Sequence, residues 1–124
     1  LYWDALSAER RNLRHPQRDP QQSYLQQQLS AEKGVFVAAT DYLKALPAIV
    51  AKWLPGETVL LGTDGYGRSD TRSALRDFFE VDARHIAFAA LVALAREKRV
   101  ALSVVEKAGK KLEIDPEKVN PLFG

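Results

Sequence analysis

The chain has 124 residues, 46% of them apolar and 27% charged, with a formal net charge of +2 at pH 7. That length suits one globular domain, and the absence of cysteine excludes disulfides, a thiol nucleophile and a thiolate metal site. No apolar run approaches the roughly 20 residues of a membrane helix, and no basic face carries interleaved aromatic side chains. We therefore expect neither a membrane nor a nucleic acid as partner.

The first half of the chain predicts an irregular start, a helix and then a strand–helix–strand unit. Residues 1–19 show poor periodicity and are predicted to form an irregular N-terminal segment. Asp19 as cap and Pro20 as first residue then predict a helix over 20–29. The apolar runs 35–40 and 58–61 predict strands buried on both faces.

A helix is predicted between these two strands, over residues 42–53. Pro47 lies inside it, where it either kinks the helix or marks its first turn. A strand, a helix and a second strand within this distance form a parallel unit with a right-handed crossover.

The second half of the chain is predicted to be helical. Ser69 or Asp70 is expected to cap a helix over 71–79, and Asp82 a longer one that runs to about Lys98. Ser103 and Glu106 have the spacing of a capping box for a last helix. Residues 115–124 are predicted to form an extended tail, because prolines at 116 and 121 discourage further helix.

The fold class that follows is α/β, with an α/β body over 20–114 and a partial, mainly parallel sheet flanked by helices. Two parallel strands have open edges and cannot form a stable sheet alone. Methionine is absent and the sequence starts at Leu1. We therefore expect that further strands belong upstream of this sequence.

The glycine-rich stretch 62–70 between the second strand and the next helix is the main candidate site. Its glycines either cradle a small anion or form a tight turn through positive φ angles, with nearby acids and arginines satisfying one another. The acids and the G-x-x-G-x-G spacing favour the turn. The predicted structural or interface residues are Asp64, Gly65, Gly67, Arg68, Ser69, Asp70 and Arg72.

No residue in the sequence is predicted to be catalytic, to hold a cofactor or to bind a metal. Ser69 lies outside a nucleophile-elbow pattern. His15 and His85 lack the spacing of a helical metal site, and no acidic cluster is apparent. Glu80 and Asp82 lie at a helix junction, where capping explains them better than an acid pair.

Several stretches of the sequence resemble one enzyme family, the homodimeric type of pyruvate dehydrogenase E1 component. GTDGYGRSDTR at 62–72, followed by LR at 75–76 and FEVD at 79–82, matches the family's signature, with Tyr66 in place of Phe. VFVAATDYLKALP at 35–47 and IDPEKVNPL at 114–122 are similar to other segments of that family. ERRNLRHP at 9–16 is also similar, with Arg11 in place of Trp.

The resemblance implies a part of the C-terminal, transketolase-like domain, which builds the dimer and buttresses the active site. It implies thiamine diphosphate and magnesium as cofactors of the intact cytoplasmic enzyme, held by residues upstream of this sequence. The implied partners are the rest of the same subunit, a second subunit and the lipoyl acyltransferase of the complex. Two alternatives stay open: a stand-alone module that binds a small anion at residues 62–70, and a pure interaction domain.

Overall fold

The computed structural model describes residues 1–63 and 71–120. Within them the chain forms, in order, α1 (Tyr2–Arg14), α2 (Tyr24–Leu29), β1 (Phe36–Ala39), α3 (Ala45–Ala51), β2 (Thr58–Leu61), α4 (Arg72–Phe78), α5 (Ala83–Arg96) and α6 (Leu102–Lys111). The α/β class predicted from the sequence is confirmed. No helix within the described ranges is long and apolar enough to cross a membrane.

The sheet consists of β1 and β2, which pair in parallel with Phe36 opposite Thr58 and Ala39 opposite Leu61. Both predicted strands and their parallel order are confirmed. The prediction that they are buried on both faces is wrong: β2 is half-buried throughout, and β1 ends in an exposed Ala39. Helix α5 packs against both strands and α3 against β2, but the described residues pair no third strand with either one.

Helix α1 occupies most of the segment that we predicted to be irregular, so that prediction is wrong. Its buried residues are the small Ala5 and Ala8, whereas Trp3 is 76% exposed and Leu13 is 77% exposed. A stripe of large apolar residues is what periodicity detects, and here two of the large residues, Trp3 and Leu13, lie outside the packed side. Helix α1 packs against α2 and α3.

Helix α2 begins four residues later than Pro20, because Ser23 is its cap. The Ser23 hydroxyl accepts from the backbone N–H of Gln26, and the Gln26 side chain accepts from the backbone N–H of Ser23. This reciprocal capping box satisfies two N–H groups at once. The stretch before α2 is held by the side chain of Asn12. Its amide nitrogen donates to the Gln21 carbonyl at 2.9 Å, and its amide oxygen accepts from the Gln21 backbone N–H at 2.8 Å.

The crossover helix α3 begins at Ala45, three residues after the predicted start, with Pro47 in its first turn. Proline is tolerated there because the first N–H groups of a helix have no partner within it. The backbone N–H of Tyr42 donates to Thr40 Oγ1, which turns the chain before the helix. Of the two roles predicted for Pro47, the first-turn role is confirmed.

The caps of the last three helices match the predictions in part. Asp82 caps α5 as predicted, but Thr71 caps α4, with its side chain accepting from the N–H of Ala74. The predicted capping box of α6 is wrong: Ala101 is its cap and Ser103 lies inside the helix. Within the predicted tail, residues 115–120 contain neither helix nor strand.

Helices α4, α5 and α6 all end in the same way, in a Schellman motif without glycine. In each, the residue after the cap has a left-handed backbone. The backbone N–H of the residue after that donates to the carbonyl five residues earlier. The left-handed residues are Glu80, Lys98 and Glu113, with φ angles of 60°, 59° and 57°.

Candidate functional site

The carboxyl ends of the two strands meet at a tight crossing of two backbone segments. The N–H of Thr63 donates to the carbonyl of Tyr42 at 2.9 Å, and its hydroxyl donates to the carbonyl of Asp41 at 2.6 Å. A Cβ at Gly62 would lie 2.8 Å from the Tyr42 oxygen and from Lys44 Cγ. Gly62 is thus required by the close approach of the chain. Its φ is not in the left-handed region, so the positive φ predicted for it is wrong.

Most of the predicted loop residues lie outside the described residues: Asp64, Gly65, Gly67, Arg68, Ser69 and Asp70. Arg72 is described, and it is the exposed first residue of α4. It forms no ion pair with any of the described residues. The charge network predicted around Arg72 therefore stays a prediction.

The densest polar network of the described residues centres on Arg84, which the sequence did not single out. Its guanidinium donates to Asp77 at the end of α4, to Asp82 at 3.1 and 3.2 Å, and to the carbonyl of Leu112 beyond α6 at 3.2 Å. The Lys118 ammonium donates to the Asp77 carbonyl. The Arg84 side chain thereby connects α4, α5 and the end of α6, and Lys118 ties the residues after α6 to α4.

Asp82 and His85 form a carboxylate–imidazole pair at the start of α5. Asp82 Oδ1 lies 2.6 Å from His85 Nδ1 and accepts from the His85 backbone N–H at 3.0 Å. Burial favours the neutral acid, but the hydrogen bonds from His85 and Arg84 outweigh burial, so the pKa of Asp82 lies below its ordinary 3.8. An ionised carboxylate only accepts hydrogen bonds, so Nδ1 of His85 carries the proton.

The same corner brings together a possible metal-ligand set that the sequence analysis missed. Ligand atoms of Asp77, Asp82 and His85 lie within 4.8 Å of one another. The Arg84 guanidinium, however, already binds both carboxylates, and it supplies the positive charge that a metal would bring. We interpret the cluster as an ion-pair network. The D-x-R-H pattern at 82–85 was the sequence signal for it.

An open cavity of about 380 Å³ adjoins this network at the carboxyl end of β2. Its lining includes Gly62 after the strand, His85 and Phe88 from α5, and residues from 114 to 120. His85 is only 9% exposed. His15, the second histidine, is exposed and follows α1 as its cap, so the fold assigns the two histidines to different elements.

Three bacterial relatives match almost the whole chain. The chain is 47% identical to the pyruvate dehydrogenase E1 component of Pseudomonas aeruginosa over 96% of its length. It is 45% identical to that of Cupriavidus necator over 92% and 41% identical to that of Escherichia coli K12 over 95%. The chain spans only 13–14% of the length of these relatives.

A family model described as the transketolase-like TK C-terminal domain matches residues 3–82. The matched region contains all but the first residue of α1, then α2, the strand–helix–strand unit and α4, and it ends at the cap of α5. It covers more than half of the chain, and the resemblance noted in the sequence points the same way. The chain therefore belongs to the transketolase-like TK C-terminal domain family.

Proposed function

We propose that this chain is the C-terminal portion of a pyruvate dehydrogenase E1 component. The observation that carries the proposal is identity of 36–47% over 90–96% of the chain to proteins of that name. The intact enzyme would decarboxylate pyruvate oxidatively and pass the acetyl group to the lipoyl group of the acyltransferase. It would act in the cytoplasm as a homodimer.

Within that enzyme we assign this portion a structural role, the closing of the subunit interface. The described sheet has two strands, and such a pair needs neighbours at its edges. Large apolar side chains on two helices are also exposed, among them Trp3 on α1 and Leu46 and Ile49 on α3. Exposed tryptophan and other large apolar side chains are typical of a contact surface.

Thiamine diphosphate and magnesium would be the cofactors of the intact enzyme, and the described residues do not fit them. The carboxylates nearest to a metal-ligand arrangement are those of Asp77 and Asp82, and Arg84 forms an ion pair with each of them. Magnesium prefers oxygen ligands and retains waters, whereas this cluster includes an imidazole and a guanidinium. We therefore route no step of the reaction through these residues.

The test of the proposal compares the intact polypeptide that carries this sequence with the 124-residue portion. With thiamine diphosphate and magnesium, the intact protein is expected to release carbon dioxide from pyruvate and to acetylate a lipoyl domain. Calorimetric titration of the 124-residue portion with the same cofactors is expected to show no saturable binding. Micromolar binding by the portion would overturn the role assigned to it, and an intact protein inactive on pyruvate would overturn the function.

The interface role predicts a specific effect of Arg72 in the intact enzyme. Arg72 is exposed and makes no ion pair within the described residues, so we expect it to contact a neighbouring domain or subunit. Arg72→Ala should raise the protein concentration at which the dimer dissociates, with activity at saturating cofactor retained in the dimer. Arg96→Ala is the control, because this exposed arginine already pairs with Glu57 at 3.2 Å within the same chain. A dimeric Arg72→Ala enzyme that has lost activity would instead indicate a direct role at the active site.

A further inference from the structure

Residues 9–19, in the second half of α1 and just beyond it, carry the whole formal net charge of the chain. They contain four arginines and two acids, a net charge of +2, and the full sequence also has a net charge of +2. The remaining residues therefore carry as many acidic as basic side chains. A charge concentrated in this way attracts groups of opposite sign to its surface.

The contacts of this stretch leave three of its arginines uncompensated. Arg10, Arg14 and Arg18 are exposed, and none of them forms an ion pair with a described residue. The nearest acid on the same helix is already engaged, because Glu9 Oε1 lies 3.0 Å from the ammonium of Lys52. The three guanidinium groups are therefore available to a carboxylate from elsewhere.

A side-chain contact holds these arginines on one surface. The Arg11 guanidinium donates to the backbone carbonyl of Asp19 at 2.7 Å, which keeps the adjacent Arg18 near the end of α1. Arg10 and Arg14 lie one helical turn apart, about 6 Å along the axis. The side chain of Asp19 forms no ion pair within the described ranges, so it does not cancel their charge at close range.

Helix stability does not explain the three charges together. A cation in the last turn of a helix is favoured by the helix dipole, which accounts for Arg14. Arg10 lies a full turn earlier, and like charges four residues apart destabilise a helix. Arg18 lies outside the helix. A negatively charged group from another molecule would remove the repulsion between these side chains.

The other residues of the stretch select the kind of molecule. Residues 9–19 contain no aromatic side chain, so they offer no platform on which bases could stack. Three free arginines are also few beside the roughly six to ten phosphate contacts of a typical DNA-binding protein. The most exposed apolar side chains of α1, Trp3 and Leu13, lie about 15 Å apart along the axis. They form no continuous face for a lipid surface.

We propose that residues 9–19 form a docking surface for an acidic protein segment, whose carboxylates pair with Arg10, Arg14 and Arg18. Guanidinium groups bind carboxylates through two parallel hydrogen bonds. The spacing of Arg10 and Arg14 suits carboxylates on alternate residues of an extended segment, which lie about 6.6 Å apart. Exposed ion pairs are weak singly and are screened by salt, so the contact is a transient one.

The test measures the reactivity of single arginines in the intact polypeptide. Phenylglyoxal modifies guanidinium groups, and peptide mass spectrometry gives the modification rate at each arginine. Polyglutamate is the probe, and it should slow modification of Arg10, Arg14 and Arg18 saturably. Arg96, an exposed arginine that already pairs with Glu57 at 3.2 Å, should react at an unchanged rate. Raising the salt concentration from about 0.01 M to about 1 M should abolish the protection, because the screening length falls from about 30 Å to about 3 Å.

Substitutions test whether the three arginines act as one surface. Arg10→Gln should raise the polyglutamate concentration that half-protects Arg14 and Arg18 about two- to fivefold, since one exposed ion pair contributes about that factor. Lys107→Gln is the matched control, because it removes the same charge from an exposed position on α6. It should leave the protection of Arg14 and Arg18 unchanged.

Each other outcome overturns the inference. Equal protection at Arg96, or an equal effect of Lys107→Gln, would reveal a general attraction for polyanions. Stronger protection by oligothymidylate or by phosphatidylglycerol vesicles than by polyglutamate would identify a nucleic acid or a membrane as the partner. Modification of the three arginines that is slower than at Arg96 before any probe is added would show that the rest of the polypeptide covers them. The readout does not depend on pyruvate turnover, so its failure leaves the proposed function standing.

Discussion

At the scale of single residues, Asp82 has more contacts than a helix cap requires. It satisfies the N–H of His85, holds the His85 ring at 2.6 Å and accepts from Arg84. Its side chain is 20% exposed, so solvent screens these contacts only in part. Its ionised form is therefore more stable in the folded chain than in the unfolded one.

The lowered pKa of Asp82 predicts how stability depends on pH. A carboxyl whose folded pKa is depressed contributes stability above its unfolded value of 3.8, and this contribution is lost as the pH falls through the folded pKa. Asp82→Asn should lower the free energy of unfolding at pH 7 by about 1–3 kcal/mol, because asparagine still caps but carries no charge. Urea unfolding at a series of pH values between 2 and 7 measures the free energy of unfolding. As the pH falls through this range, the variant should lose less of it than the original chain.

Asp19→Asn serves as the control, since the Asp19 side chain is exposed and forms no ion pair with a described residue. Two results would contradict the role of Asp82. One is an Asp82→Asn variant that loses as much stability at acid pH as the original chain. The other is an equally reduced loss in Asp19→Asn.

Glycine positions provide a second test at this scale. Gly62→Ala would place a methyl group 2.8 Å from the Tyr42 carbonyl oxygen, whereas a methyl group at Gly34 meets nothing within 4 Å. We expect Gly62→Ala to destabilise the chain by about 1–3 kcal/mol through overpacking, and Gly34→Ala to have little effect. Denaturant titration gives the free energy of unfolding of the two variants. Equal values would mean that the backbone at residues 42 and 62 moves apart without cost to admit the methyl group.

At the scale of elements, the sequence predicted best where one local signal decides the structure. The runs 35–40 and 58–61 predicted both strands, and Asp82 predicted the start of α5. Helix α1 was missed because its buried face consists of Ala5 and Ala8, which weigh little in any hydrophobic periodicity. The D-x-R-H pattern at 82–85 signals only the Asp82 and His85 part of the Arg84 network. The bond from Arg84 to the Leu112 carbonyl spans two helices, so it depends on packing and leaves no local pattern.

The Schellman ends of the helices predict a stabilising substitution. Lys98 has a φ of 59°, a conformation that costs a residue with a Cβ roughly 1–2 kcal/mol. Lys98→Gly should raise the free energy of unfolding by up to about 1 kcal/mol, since glycine offsets part of that gain through its freedom in the unfolded chain. The matched control is Lys110→Gly inside α6, an exposed lysine, which should cost up to about 1 kcal/mol. Thermal unfolding of both variants gives the comparison, and destabilisation by Lys98→Gly would contradict the analysis of the cap.

At the scale of the whole molecule, the described residues bury few large apolar side chains. The buried apolar residues are three alanines, two valines and Phe79. Tyr42, Leu46 and Ile49 around the crossover helix are between 41% and 62% exposed. A core of this size gives little stability to a chain of this length.

The isolated chain is therefore expected to be unstable or to self-associate. Size-exclusion chromatography across a range of protein concentrations, combined with thermal melting, tests this expectation. The elution volume should shift with concentration, because the exposed apolar surface and the strand edges pair between copies. A monomer with a cooperative melt above about 60 °C would show that the described elements suffice.

The parallel pairing of β1 with β2 also determines the order in which the chain can assemble during synthesis. The two strands pair only after the crossover helix between them has left the ribosome. Their covering helix α5, which packs on both strands, is translated later still, at about 5–20 residues per second. The newly paired sheet is thus without α5 for a period of seconds, and during that period the face that α5 later covers is open to other chains and to chaperones.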